Sequence, residues 1–119
     1  MLVRASSGSG GGGGINPDIQ YESSGNGDSA QTKTFSVTSG KTYMFNCGVR
    51  GTSNDKDNLQ LISGGTVLEH TQVWTAYRQD GYWDYSNVLI FTATSSSVTI
   101  GCTKSANPTM TGMALIQLD

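Results

Sequence analysis

The sequence has very little of the side chains from which most active sites are built. Its 119 residues include one histidine and two cysteines, and only 13% carry charge. A hydrolytic triad needs a base that is oriented by an acid and set beside a nucleophile. The single histidine, His70, stands in a Glu-His-Thr segment, and no G-x-S-x-G motif occurs; it reads as an exposed surface residue. One histidine and two separated cysteines have no zinc-ligand spacing. Asn54, Asp55 and Asp57 resemble the start of a calcium loop but lack its glycine and terminal glutamate, so they read as solvated turn residues. No metal, cofactor or catalytic group is expected. The weakest enzymatic alternative is a carboxylate pair, Asp80 with Asp84.

Basic charge is also scarce. Seven Lys and Arg are scattered among nine Asp and Glu, for a net charge of −2, and no patch exists to neutralise nucleic-acid phosphates. No apolar run approaches the ~20 residues of a membrane-spanning helix. Met-Leu-Val-Arg is followed at once by Ser and Gly, without the apolar segment of a secretory signal peptide. The expectation is synthesis and folding in a reducing cytoplasm, with no membrane insertion and no nucleic-acid partner. Cys47 and Cys102 fall in phase with the apolar positions of two predicted strands and read as buried free thiols.

What remains is strand after strand from residue 31 to 118. In Lys33 to Arg50, Phe35 and Val37 alternate with Thr and Ser, a Thr-Ser-Gly-Lys turn follows, and Tyr43, Phe45, Cys47 and Val49 alternate with Thr42, Met44, Asn46 and Gly48. Period-2 alternation on both sides of a glycine turn predicts two neighbouring antiparallel strands with one face in a core. Further strands are predicted around 19–22, at 57–63 with a hairpin partner at 66–69, at 87–93, at 98–102 and at the closing apolar segment 112–118. Residues 73–83 are less regular. Val88 and Ile90 stand against Leu89 and Phe91, which predicts a central strand covered on both faces. The predicted class is all-β: a single antiparallel β-sandwich of eight or nine short strands, spanning 15–119. Residues 1–14 form a glycine-rich N-terminal arm, in which Gly10, Gly11, Gly12, Gly13 and Gly14 are consecutive. Such a run buries no side chains; it reads either as a plain linker or as an attachment arm.

Three segments, SVTSGKTYMFNCGVRG (36–51), YSNVLIFTATSSSVTIGCT (85–103) and GMALIQLD (112–119), resemble the jelly-roll β-sandwiches of carbohydrate-binding modules and galactose-binding-like domains. The resemblance rests on a Gly-Lys-Thr-Tyr strand start, a Phe-Thr-Ala-Thr strand before a serine-rich turn, and a final apolar strand. It implies a jelly roll. Similar sandwiches are common in bacteriophage tail, fibre and capsid-decorating proteins, and the glycine-rich start is similar to theirs. The resemblance thus implies a virion component, assembled in a host cytoplasm beside other virion proteins, as a homo-oligomer with a trimer favoured.

The candidate interaction residues are Trp74, Tyr77, Arg78, Asp80, Tyr82, Trp83 and Tyr85. Flat aromatic faces can stack on sugar rings while Arg and Asp bind hydroxyls, as in a host-surface glycan site, and the same mixture forms protein-interface hot spots. The plain alternative is that one or two of these rings, Trp74 and Trp83 before the others, plug the core or close the end of the sandwich.

Overall fold

The computed structural model describes residues 18–23, 29–51, 59–77, 83–103 and 108–119, with the backbone alone at 74–77 and 83. These residues form β1 (Asp18–Glu22), β2 (Thr32–Ser36), β3 (Thr42–Gly51), β4 (Leu59–Ser63), β5 (Gly65–Tyr77), β6 (Trp83–Ala93), β7 (Ser97–Cys102) and β8 (Thr109–Gln117). The protein is all-β, with a five-stranded sheet in the order β1-β8-β3-β6-β5 and a three-stranded sheet in the order β2-β7-β4. Each strand pair is antiparallel.

The pairing has the nesting of a jelly roll. Rolling up an antiparallel ribbon of eight strands joins first to last, second to seventh, third to sixth and fourth to fifth. The first three pairs are present: β1 with β8, β2 with β7 and β3 with β6. The fourth is replaced, because β5 pairs with β6 in the large sheet while β4 stays with β7 in the small one.

This corrects two readings of the sequence. The Thr-Ser-Gly-Lys turn does not join neighbouring strands: β2 and β3 lie in different sheets, and so do β4 and β5. Alternation marks a strand with one buried face, and both halves of such a unit can satisfy it from opposite sides of the core. The connections are short enough to step between sheets. Gly64 alone separates β4 from β5, with φ at +92°, and its carbonyl accepts a hydrogen bond from the Thr94 amide at 2.9 Å.

Burial follows the predicted alternation closely on β3, where Tyr43, Phe45, Cys47 and Val49 face inward. They meet Phe35 of β2, Leu59 of β4, Leu89 and Phe91 of β6, Val98 and Ile100 of β7, and Met110, Met113 and Leu115 of β8 in one core cluster. Phe35 lies between two other rings, 5.2 Å from Tyr21 and 5.5 Å from Phe45. Met110 and Met113 are three residues apart, a spacing that puts side chains on opposite faces of a regular strand. Both are nonetheless fully buried in the same core. The register shift on β8 between the partners of Asn46 and Gly48 supplies the extra residue that restores the phase. On β6 the prediction of two covered faces is only half met: Leu89 and Phe91 are buried, but Val88 is 38% exposed.

Candidate functional site

β5 and β6 form the longest paired unit of the molecule and carry the aromatic residues singled out in the sequence. The strand register sets Trp74 opposite Tyr85, Ala76 opposite Asp84 and Tyr77 opposite Trp83. Three of the aromatic positions, Trp74, Tyr77 and Trp83, are therefore gathered at one end of the β5–β6 ribbon. Tyr85 takes the plain alternative: it is 3% exposed and belongs to the core cluster, so its ring packs the sandwich and is not presented to a ligand. Arg78, Asp80 and Tyr82 lie outside the described residues, as do Gly10–Gly14 and the acidic group Asn54, Asp55 and Asp57.

The groove beside this end has no signature in the linear pattern of residues. On the outer face of the five-stranded sheet, Met44, Asn46, Gly48, Ser86, Val88 and Gly112 line a depression of about 320 Å³. Gly48 and Ser86 also line a second depression, of about 260 Å³, reaching Arg50, Asp84 and Thr111. The two form one open groove along β3. Its floor is low because Gly48 has no side chain where β3 passes β8; a Cβ there would sit 3.3 Å from the Thr111 hydroxyl. Arg50 and Asp84 are direct register partners, and Arg50 Nε donates to Asp84 Oδ1 at 3.3 Å across a solvent-facing surface. The lining offers an amide, hydroxyls, a guanidinium and a carboxylate, which suits a ligand rich in hydrogen-bonding groups. The outward positions of β3, β6 and β8 would have been visible in the sequence, but their adjacency depends on pairings spanning 34 residues or more, as in Arg50 with Asp84.

His70 departs from the surface position expected of it. It is half-buried on β5, with Nε2 2.9 Å from Oδ1 of Asn87. Asn87 is 1% exposed, and its Nδ2 has no hydrogen-bond partner among the described residues. With Nε2 protonated, the imidazole donates to the amide oxygen and holds Asn87 inside the core. A histidine bonded to an amide in this way is a packing element and not a base aligned on a nucleophile. No group of three or more His, Cys, Asp or Glu able to hold a metal ion exists among the described residues.

Cys47 and Cys102 are buried free thiols. Burial, and then the charge that Cys102 would carry, push the Cys47 thiol far above its ordinary value; burial pushes Cys102 from 9.0 to about 12. Both thiols stay protonated in the fold and are poor nucleophiles. Because the folded values lie above the unfolded one, the thiols cost no stability below pH 9. The unfolded chain gains by ionising as pH rises beyond it. Between pH 9 and 11 each thiol should remove up to ~1.4 kcal/mol per pH unit. Urea midpoints measured across this range should fall more steeply for the wild type than for a Cys47→Ala/Cys102→Ala variant, and equal slopes would contradict the burial of both thiols.

All five exposed large apolar side chains among the described residues, Ile62, Val67, Leu68, Val73 and Val88, lie on β4, β5 and β6. Val88 lines the groove, and the other four lie on β4 and β5, each of which has a free edge among the described residues. Compared with protein-family models, curated proteins and solved structures, the chain matches none.

Proposed function

We propose that this protein is a non-enzymatic structural component of a bacteriophage virion, a capsid-decoration, head-fibre or tail-adhesion module. The observation that carries the reading is the concentration of exposed apolar side chains on the open β4–β5 flank. Apolar side chains left exposed on one side of a fold are the raw material of protein–protein contact. In this reading the flank and the aromatic end of the β5–β6 ribbon meet other virion proteins or further copies of the chain. The glycine-rich arm, 1–14, attaches the sandwich to the particle. The jelly-roll nesting supports the same reading, since it leaves the work to edges and loops.

A second reading is a carbohydrate-binding module, favoured by the hydrogen-bonding groove of Asn46, Arg50, Asp84, Ser86 and Thr111 beside the Trp74, Tyr77 and Trp83 positions. One experiment separates them: light scattering on the full chain and on a version starting at Ile15, with both preparations then applied to a glycan array. An oligomer that weakens without the arm, and no glycan signal, is the expected result. Monomers in both preparations together with a glycan signal lost on Trp83→Ala would overturn the structural reading in favour of the second.

A further inference from the structure

We infer that β5 is a two-fold assembly edge, through which two copies of this chain pair antiparallel and join their five-stranded sheets into one of ten strands. The inference deepens the structural reading by naming the partner, and rests on it for biological purpose.

The first argument is the edge itself. Among the described residues, β5 has one strand neighbour, β6. Its other side has no strand partner among the described residues, since β4 pairs with β7 in the other sheet. Free edges are usually blunted by lysine, proline, charge or β-bulges, and the register shifts of β5 lie at the two ends of its Glu69–Trp74 stretch, not within it. In the 13 residues of β5 the only formally charged residue is Glu69, and neither Lys nor Pro occurs. Val67, Leu68 and Val73 are 45%, 59% and 56% exposed along it. An edge with apolar side chains and little charge presents both the hydrogen bonds and the surface that another strand needs.

The second argument is why the partner is a second copy. An antiparallel pair of identical strands is related by a two-fold axis, so any strand can satisfy itself provided the register opposes no like charges. Register shifts at Leu68 and Thr75 limit β5 to a flat stretch, Glu69–Trp74. An axis through Thr71 uses this stretch: it sets Thr71 opposite its own copy, His70 opposite Gln72 and Glu69 opposite Val73. The two Glu69 carboxylates are then displaced by four residues along the strands, about 13 Å. Threonine opposite threonine is a favourable cross-strand pair, and no like charges are opposed in this register. The contact is two-fold, unlike the trimer implied by the family resemblance.

The test uses the full chain and two substitutions at Thr71, which is exposed. Sedimentation or light scattering over a concentration series should show a wild-type dimer. Thr71→Lys, which sets two ammonium groups face to face on the axis, should weaken that dimer at least tenfold while leaving the circular dichroism spectrum unchanged, and its melting should lose the concentration dependence that dimerisation confers. Thr71→Cys should cross-link two chains under mild oxidation, because directly opposed residues in an antiparallel pair lie within disulfide reach. A wild-type monomer at all concentrations overturns the inference. An oligomer that survives Thr71→Lys and does not cross-link through Thr71→Cys also overturns it; if that oligomer still weakens without residues 1–14, the proposed structural role stands and only the edge is wrong.

Discussion

Phe91→Ala is expected to remove about 3–5 kcal/mol of stability, the usual cost of emptying a large aromatic site in a core. Phe91 is fully buried on β6, which is paired on both sides in the large sheet. Its register partner on β3 is Tyr43, and the two rings stack with centroids 5.5 Å apart and planes 19° from parallel. The other side of the ring is also tight, since a Cβ on Gly65 would come within 3.0 Å of it. With neighbours fixed in strands on both sides, the site has little freedom to collapse, which puts the loss in the upper part of the range. Small domains are stable by about 5–15 kcal/mol in total, so the variant should melt far below the wild type or fail to fold. Urea denaturation read by circular dichroism measures it. A loss below 1 kcal/mol would mean that Phe91 is not packed between the sheets.

The second large effect is at a position with no side chain. Gly64→Ala should cost about 2–5 kcal/mol, combining ~1–2 for a left-handed residue with ~1–3 for overpacking. At a φ of +92°, its new Cβ would run into the Ser97 carbonyl oxygen and lie within 2.9 Å of the Val98 Cα. Both obstacles are backbone, and Val98 is fully buried, so neither can yield without moving the core. Gly112 provides the comparison. It too has a positive φ, +56°, but a Cβ there meets nothing within 4 Å. Gly112→Ala should therefore cost only the backbone share, about 1–2 kcal/mol. Equal losses in the two variants would show that the passage from β4 to β5 is looser than described.

Much of this architecture was legible in the sequence, and the residues show why. The alternation on β3 named its four core side chains correctly, because a period of two is a local property that survives any choice of partner. The closing apolar segment, 112–118, likewise lies on a strand as far as Gln117, with Met113, Ala114, Leu115 and Ile116 buried. What the pattern could not carry was pairing. Phe35 and Phe45 look like two strands of one hairpin, yet they meet across the core from different sheets, with ring centroids 5.5 Å apart. The length of β5 was also hidden: Glu69 to Gln72 are polar, and they extend the strand only because β6 holds them residue by residue. The aromatic stretch was seen as a unit, but its outward or inward role was not; Tyr85 turned out to be core because it falls in phase with Asn87 and Leu89. The groove was invisible, since Gly48, Ser86 and Thr111 become neighbours only through two separate ladders.

The position of β8 has a consequence in time. The last strand does not sit at an edge; it is inserted between β1 and β3, so Asp18 pairs with Gln117 and Tyr43 with the same residue. β8 must therefore leave the ribosome before the large sheet can close. Until then β1 has no strand to join, and β3 has one side bare. Contacts of such long sequence separation place folding among the slow β topologies, in milliseconds to seconds. During that interval the β4–β5 flank is only one of several exposed edges, and a crowded chain is most open to the wrong partner.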